Sequence, residues 1–86
     1  MIFLAKVVIP LKLTINDPQG LTIQAGLRDL GFDSVRSVRM GKYMEVRLDQ
    51  ENEAAAAQSV EGMCEKLLAN PVIEEYRFEL QALDQE

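Results

Sequence analysis

The opening segment of the chain, Ile2 to Leu13, is rich in aliphatic and β-branched residues, which predicts a strand. At the strand period of two, one face carries Phe3, Ala5, Val7, Ile9, Leu11 and Leu13. The other face carries Ile2, Leu4 and Val8, between Lys6 and Pro10. A strand that is apolar on both faces needs cover on both sides. Because one layer of helices cannot supply that cover in so small a chain, we expect Ile2, Leu4 and Val8 to meet a partner, most simply a second copy.

A helix is predicted to begin at Asp17-Pro18. The aspartate accepts hydrogen bonds from free N–H groups at a helix start, and proline at the first helical position has no N–H to leave unpaired. Apolar residues near helical spacing follow, from Leu21 to Leu30. Gly31 then predicts the helix end, because glycine adopts positive φ without a steric penalty.

The rest of the chain predicts two strands joined by a tight turn, a second helix and a last strand. These are placed at Ser34–Met40, a turn at Gly41-Lys42, Tyr43–Leu48, a helix at Glu53–Ala69 ended by Asn70-Pro71, and Val72–Leu80. Gln81–Glu86 is predicted to be a frayed acidic tail. The order β-α-β-β-α-β is typical of an α+β, two-layer, ferredoxin-like sandwich, with an antiparallel sheet and both helices on one face.

The chain is predicted to be a single domain, residues 1–86, and its composition disfavours several classes of function. The formal net charge of −5 disfavours nucleic acid and anionic membrane surfaces as partners. No apolar run reaches the roughly 18 residues that span a bilayer, and the N-terminus lacks the features of a signal peptide. With a single cysteine, these features predict a cytoplasmic protein. The absence of histidine removes the commonest general base and metal ligand.

Three places could carry function. Cys64 lies on the apolar stripe of the second predicted helix, where a core or interface role is favoured over a nucleophile. Asp17 to Gly20 could contact a ligand, but helix capping is favoured because Asp17 would repel an anion. Arg39, Lys42 and Tyr43 cluster at the predicted hairpin, either as an exposed turn or as part of a protein-binding surface. No phosphate loop or metal-ligand motif is present.

Four segments that occur in order along the chain are Asp17-Pro18-Gln19-Gly20, Leu30-Gly31-Phe32, Val38-Arg39 with Gly41-Lys42-Tyr43, and Cys64 to Arg77. Together they resemble the PurS family, the small subunit of phosphoribosylformylglycinamidine (FGAM) synthase. Pro10 and the alanine-rich stretch from Glu53 to Ala57 depart from the family pattern, outside these segments.

The resemblance implies a noncatalytic subunit in purine (IMP) biosynthesis. It would form a homodimer or tetramer, bridge a large ATP-dependent synthetase subunit and a glutamine amidotransferase subunit, and support ammonia transfer between them. It implies no cofactor in this chain, with ATP and magnesium in the synthetase subunit. The chain would therefore do no chemistry itself, yet belong to a glutamine-hydrolysing carbon–nitrogen ligase.

Two alternatives remain open from the sequence. The helix start at Asp17 to Gly20 also resembles the loop of ACT regulatory domains, which would imply amino-acid binding at a dimer interface. Gln19, between Pro18 and Gly20, weakens that match. A structural dimerisation module without a ligand is the other alternative.

Overall fold

A computed structural model describes residues 1–13 and 15–83. In these residues a three-stranded antiparallel sheet has the order β2-β1-β3. The strands are β1 (Ile2–Pro10), β2 (Gly41–Asp49) and β3 (Arg77–Leu83), and the helices are α1 (Pro18–Asp29) and α2 (Glu53–Met63). A π-helical turn, Cys64–Leu68, continues α2. The predicted α+β class and antiparallel sheet are confirmed. No helix in the described ranges is both long and apolar enough to cross a membrane.

The core lies between α2 and one face of the sheet. The central strand buries Phe3, Ala5, Val7 and Ile9 on this face, as its alternating pattern predicted. From the helix side, Val60 and Cys64 are fully buried against the strand residues. The packing is specific to one face because strand side chains alternate, so only every second residue of β1 reaches α2.

Helix α1 does not cover the sheet, in contrast to the predicted arrangement with both helices on one face. All twelve residues of α1 are described, and only Gly20 among them is buried. The helix instead lies against the return segment that follows it, and the molecule measures 50 × 28 × 15 Å. We call residues 15–40 the α1 arm.

The two ends of α1 are where the sequence predicts them. Asp17 caps the start, with its Oδ1 accepting a hydrogen bond from the N–H of Gly20 at 2.9 Å. At the other end, the Phe32 N–H donates to Leu27 O and the Gly31 N–H to Arg28 O, both at 3.0 Å. Gly31 has φ of 100°, so this end has the hydrogen bonds and the left-handed glycine of a Schellman motif.

The strand predicted at Ser34–Met40 is wrong. This stretch forms no ladder in the structure, because Gly41 and Lys42 continue into β2 instead of reversing the chain, so the stretch does not fold back beside that strand. Its carbonyls bond to α1 instead: Arg28 donates to Val35 O at 3.0 Å, and Gln24 to Arg36 O at 3.4 Å. The tight turn predicted at Gly41-Lys42 is also wrong, since these residues begin β2 and pair with Pro10 and Ile9.

Other boundaries shift. Strand β1 ends at Pro10, followed by a single bridge between Leu11 and Glu74, and Leu13 is exposed. The last strand begins at Arg77 rather than Val72, because the N–H groups of Ile73 and Glu74 both donate to Asn70 O in a turn. That strand continues through Leu83, so Gln81–Leu83 is not frayed, and the predicted tail at 84–86 lies outside the described residues.

Candidate functional site

The sheet face opposite α2 is the principal candidate site, and we call it the open face. Strand alternation and the pairing of β1 with β2 and β3 put twelve side chains on it. These are Ile2, Leu4, Lys6 and Val8 from β1, Tyr43, Glu45, Arg47 and Asp49 from β2, and Arg77, Glu79, Gln81 and Leu83 from β3. No helix in the described part of the chain packs on it.

Three of the four side chains along the centre of the open face are apolar, and Lys6 lies between Leu4 and Val8. Ile2, Leu4 and Val8 are half-buried, flanked by the longer side chains of the edge strands. These are the residues for which the sequence predicted a partner. The structure leaves them without cover from the described part of the chain, and their contact with a partner stays a prediction.

Tyr43 lies at one end of the open face and is 57% exposed. Its hydroxyl donates to Glu45 Oε2 at 2.9 Å. That hydrogen bond to a carboxylate raises the pKa of the Tyr43 hydroxyl. The phenol therefore stays protonated at neutral pH, and a contact of Tyr43 with a partner stays a prediction.

The structure separates Lys42 from its neighbour Tyr43, although the sequence grouped them. Lys42 points to the helix side, where its Nζ lies 3.2 Å from Glu74 Oε2 and 3.2 Å from Leu68 O. The Asn70 N–H donates to Glu74 at 2.6 Å, and this bond, with Lys42 beside it, lowers the pKa of Glu74. Lys42 thus joins β2 to the turn after α2.

Arg39 also bonds within the chain. Its Nη1 donates to Leu11 O at 3.3 Å and lies 3.7 Å from Glu75 Oε2. Arg39 therefore connects the base of the α1 arm to the strand ends. The interface role of Arg39 and Lys42 stays a prediction.

Asp17 anchors the arm, a role that the sequence indicated only in part. Besides capping α1, its Oδ2 accepts a hydrogen bond from the N–H of Met40 at 2.7 Å. The bonds from Met40 and then Gly20 lower the pKa of Asp17. Both carboxylate oxygens are used by backbone N–H groups, which agrees with the capping interpretation. The bond to Met40 spans 23 residues, so no local sequence pattern could reveal it.

An open pocket of about 370 Å³ lies beside this anchor, lined by Pro18, Gln19, Thr22, Ile23 and Met40. None of these side chains carries a charge. An amino-acid ligand needs partners for its ammonium and carboxylate groups, so this lining does not favour the ACT-like alternative.

Cys64 is fully buried beneath the sheet. Burial first, and then the nearby carboxylates of Glu61 and Glu65, raise the pKa of its thiol. A buried, protonated thiol is a poor nucleophile, in agreement with the core role favoured from the sequence. The described residues contain no cluster of three or more side chains suited to hold a metal ion.

Comparison with known proteins decides the family. The family model PurS, described as phosphoribosylformylglycinamidine (FGAM) synthase, matches residues 4–82. The chain belongs to the PurS family. The predicted function, a PurS subunit of FGAM synthase in purine biosynthesis, is confirmed by this membership, and the ACT-like alternative is not favoured.

Curated PurS relatives match along most of their length. The PurS subunit of Synechocystis sp. is 46% identical over 92% of this chain and 79% of that protein. The PurS subunit of Methanocaldococcus jannaschii is 41% identical, over 93% of this chain and 96% of the relative.

Solved PurS structures have the same fold. The crystal structure of M. jannaschii PurS, one of the subunits of formylglycinamide ribonucleotide amidotransferase, aligns with a TM-score of 0.81 and 40% identity, over 95% of this chain and 99% of that one. A chain from the structure of PurLQS from Thermotoga maritima aligns with a TM-score of 0.86 and 32% identity, over 94% and 99% of the two chains. That PurS relative is therefore known within a PurLQS assembly.

Sequence reasoning did not single out Glu45, Arg47, Arg77 and Glu79 as site residues. Their strand alternation was visible, but the strand order that places them on the same face as Leu4 was not. These four charges flank the residues of β1 on the open face.

Proposed function

We propose that this chain is a noncatalytic assembly subunit of FGAM synthase. It associates with itself through the open face, and it bridges the ATP-dependent synthetase subunit and the glutaminase subunit. The observation that carries the proposal is the open face itself: an apolar strip framed by charges, in a PurS chain without histidine. Such a face is suited to protein contact, because interfaces combine an apolar centre with a polar rim.

Self-association would bury the apolar surface that is exposed on the open face. Ile2, Leu4 and Val8 are half-buried in the single chain, and burying the rest of their apolar surface contributes about 25 cal/mol per Å². A homodimer is the simplest assembly that provides this cover, and a tetramer would follow from a second contact between dimers.

The α1 arm supplies a second surface, suited to the other subunits. Its exposed apolar residues are Leu21, Ile23, Leu30 and Phe32, which are 41–76% exposed. An isolated helix of 12 residues is marginal in water, so the arm gains stability when a partner covers it. Two separate surfaces are what a bridging subunit requires.

Ammonia transfer is the step that such a bridge would support. Ammonia released by a glutaminase must reach the synthetase without escaping into bulk water, where it becomes protonated. Enclosure depends on shape and on association rather than on acid–base groups. We place ATP and magnesium in the synthetase subunit, with no cofactor in this chain, and the assembly in the cytoplasm.

Reconstitution tests the proposed function. The chain is added to the synthetase and glutaminase subunits, and glutamine-dependent FGAM formation is measured beside the ammonia-dependent reaction. We expect the chain alone to hydrolyse neither glutamine nor ATP, and its addition to restore the glutamine-dependent rate. Equal glutamine-dependent rates with and without the chain would contradict the proposal.

A pair of valines tests the role of the open face. Val8→Asp places a charge in its apolar centre, whereas Val72→Asp makes the same change at a turn residue that is 75% exposed. Light scattering after size-exclusion chromatography should show the dimer weakened by Val8→Asp and unchanged by Val72→Asp, with circular dichroism confirming that both variants are folded. Equal behaviour of the two folded variants would remove the open face from the proposal.

The arm is tested with a pair of leucines. Leu30 on the arm is 76% exposed, and Leu67 on the π-helical turn is 83% exposed. Leu30→Asp should weaken binding to the other two subunits in a pull-down with purified components, without changing the dimer, whereas Leu67→Asp should change neither. Full binding by Leu30→Asp would argue against the arm as the bridging surface.

A further inference from the structure

The charges on the open face point to one way in which two copies fit together. We propose that two open faces stack with antiparallel strands, about a two-fold axis that crosses the strands level with Ala5, so that Glu45 of each copy meets Arg47 of the other. This inference rests on the self-association proposed above and adds its geometry.

The open face is electrically neutral, although the chain as a whole is acidic. Its three cations, Lys6, Arg47 and Arg77, balance its three anions, Glu45, Asp49 and Glu79. The formal net charge of −5 therefore lies entirely on the other surfaces. The α1 arm is also neutral, with three arginines and three aspartates, so the excess of acidic residues lies outside both the arm and the open face. Two copies repel each other if they meet at those acidic surfaces, whereas contact between two open faces carries no net repulsion.

The central charges of this face are not paired within the chain. In residues 1–13 and 15–83, no ion pair within 4.0 Å involves Lys6, Arg47 or Arg77. Glu45 accepts only the neutral hydroxyl of Tyr43 among the described side chains. Their electrostatic potential is therefore available to a partner of complementary pattern.

The charges also alternate along the strands. A row here is a residue of β1 with its neighbours on β2 and β3. In the pairing register, Arg77 lies in the row of Val8 and Arg47 lies in the row of Leu4. In the row between them, Glu45 and Glu79 lie on either side of Lys6. The three rows are thus net positive, net negative and net positive. An alternating pattern complements its own copy when one face is shifted by one row.

Antiparallel stacking about an axis level with Ala5 shifts one face by one row relative to the other. The row of Lys6 then lies over the row of Leu4 of the second copy, which brings Glu45 opposite Arg47 twice per dimer. The row of Val8 lies over the row of Ile2, so the three apolar residues of the central strand are all covered. Because stacked sheets twist by about 30° relative to each other, the rows beside the axis keep their alignment best, and these are the rows of Glu45 and Arg47.

Neighbouring arrangements are less favourable. An axis level with Lys6 opposes Glu45 to Glu45, and one level with Leu4 opposes Arg47 to Arg47. Parallel stacking places Glu45 over Glu79. An axis level with Val7 does oppose Arg77 to Glu79, but it leaves Ile2 beyond the end of the contact. An axis level with Phe3 opposes Arg47 to Asp49, but it leaves Val8 beyond the end of the contact. Substitution of Arg77 separates the proposed arrangement from the one level with Val7, and an exchange of the charges at Glu45 and Arg47 separates it from the one level with Phe3.

Two arginines on the same face therefore provide a matched test. Arg47→Glu and Arg77→Glu make the same change in charge, and Arg47 and Arg77 are both exposed on edge strands. Dimer dissociation constants are measured by sedimentation equilibrium at low salt for the full chain and its variants. Circular dichroism and urea unfolding confirm that each variant is folded.

We expect Arg47→Glu to weaken the dimer by roughly 10- to 100-fold, because two attractive pairs become repulsive. Arg77→Glu should change it by less than about 3-fold, and the exchange Glu45→Arg with Arg47→Glu should restore most of the affinity. A larger effect of Arg77→Glu, or no rescue by the exchange, would overturn this geometry alone. A wild-type chain that stays monomeric would instead refute the self-association on which it rests.

Discussion

Substitution of glycine by alanine is expected to have opposite effects on the stability of the arm at two positions in α1. A Cβ at Gly20 would overlap Val38 O and would lie 2.6 Å from Asp17 Oδ2, both inside van der Waals contact. A Cβ at Gly26 would have no atom within 4 Å. Gly20→Ala should therefore push the return segment away from the helix, whereas Gly26→Ala should only favour the helix.

The magnitudes follow from these environments. Overpacking costs about 1–3 kcal/mol, and the backbone contact at Gly20 places it near the upper end, offset by about 0.8 kcal/mol of helix propensity. We expect Gly20→Ala to destabilise the arm by about 2 kcal/mol, or about 30-fold. Gly26→Ala should stabilise it by about 0.8 kcal/mol, or about 4-fold.

Amide hydrogen exchange measured by NMR is the appropriate assay, because the arm can open without unfolding the core. The amides from Ile23 to Leu27 should exchange about 30-fold faster in Gly20→Ala and about 4-fold slower in Gly26→Ala. Amides of β1 serve as the internal control and should change little. Slower exchange in the arm of both variants would contradict a tight contact at Gly20.

Three further predictions concern the core and the anchor. Val60→Ala removes two methyl groups from a fully buried site and should lower the free energy of urea unfolding by about 1.5–3 kcal/mol, whereas Val72→Ala should change it by less than about 0.5 kcal/mol. The thiol of Cys64 should resist a thiol reagent in the native protein and react after unfolding, and rapid native labelling would contradict its burial. Because the pKa of Asp17 is lowered in the folded arm, its carboxylate stabilises the arm at pH values above its ordinary pKa. This stabilisation is lost as the pH falls through the lowered pKa. The NMR chemical shift of the Met40 amide should change over the same pH range in the wild-type chain and should not change in Asp17→Asn.

Much of the local structure could be predicted from the sequence. The apolar alternation of β1 identified its buried face correctly, from Phe3 to Ile9. The capping aspartate and Gly31 marked the two ends of α1, and Asn70-Pro71 marked the end of the second helical segment. These features depend on residues close together in the chain, where side-chain periodicity and backbone preference act directly.

The failed predictions share a cause. The segment Ser34–Met40 could have been a strand in isolation, but Gly41 and Lys42 pair with β1 rather than turn the chain back, and the segment bonds to α1 instead. Lys42 lies one residue from Tyr43, yet strand alternation turns it to the opposite face and toward Glu74. Neither outcome can be judged from neighbouring residues alone.

The sequence by itself determined which side chains share a strand face, where the helices begin and end, and to which family the chain belongs. Only the tertiary structure decided that β1 is central, that α1 leaves the sheet uncovered, and that Glu45 and Arg47 flank Leu4 and Lys6. The physical reason is that periodicities of 2 and 3.6 residues are local, whereas strand order results from competition between distant segments for the same backbone hydrogen bonds.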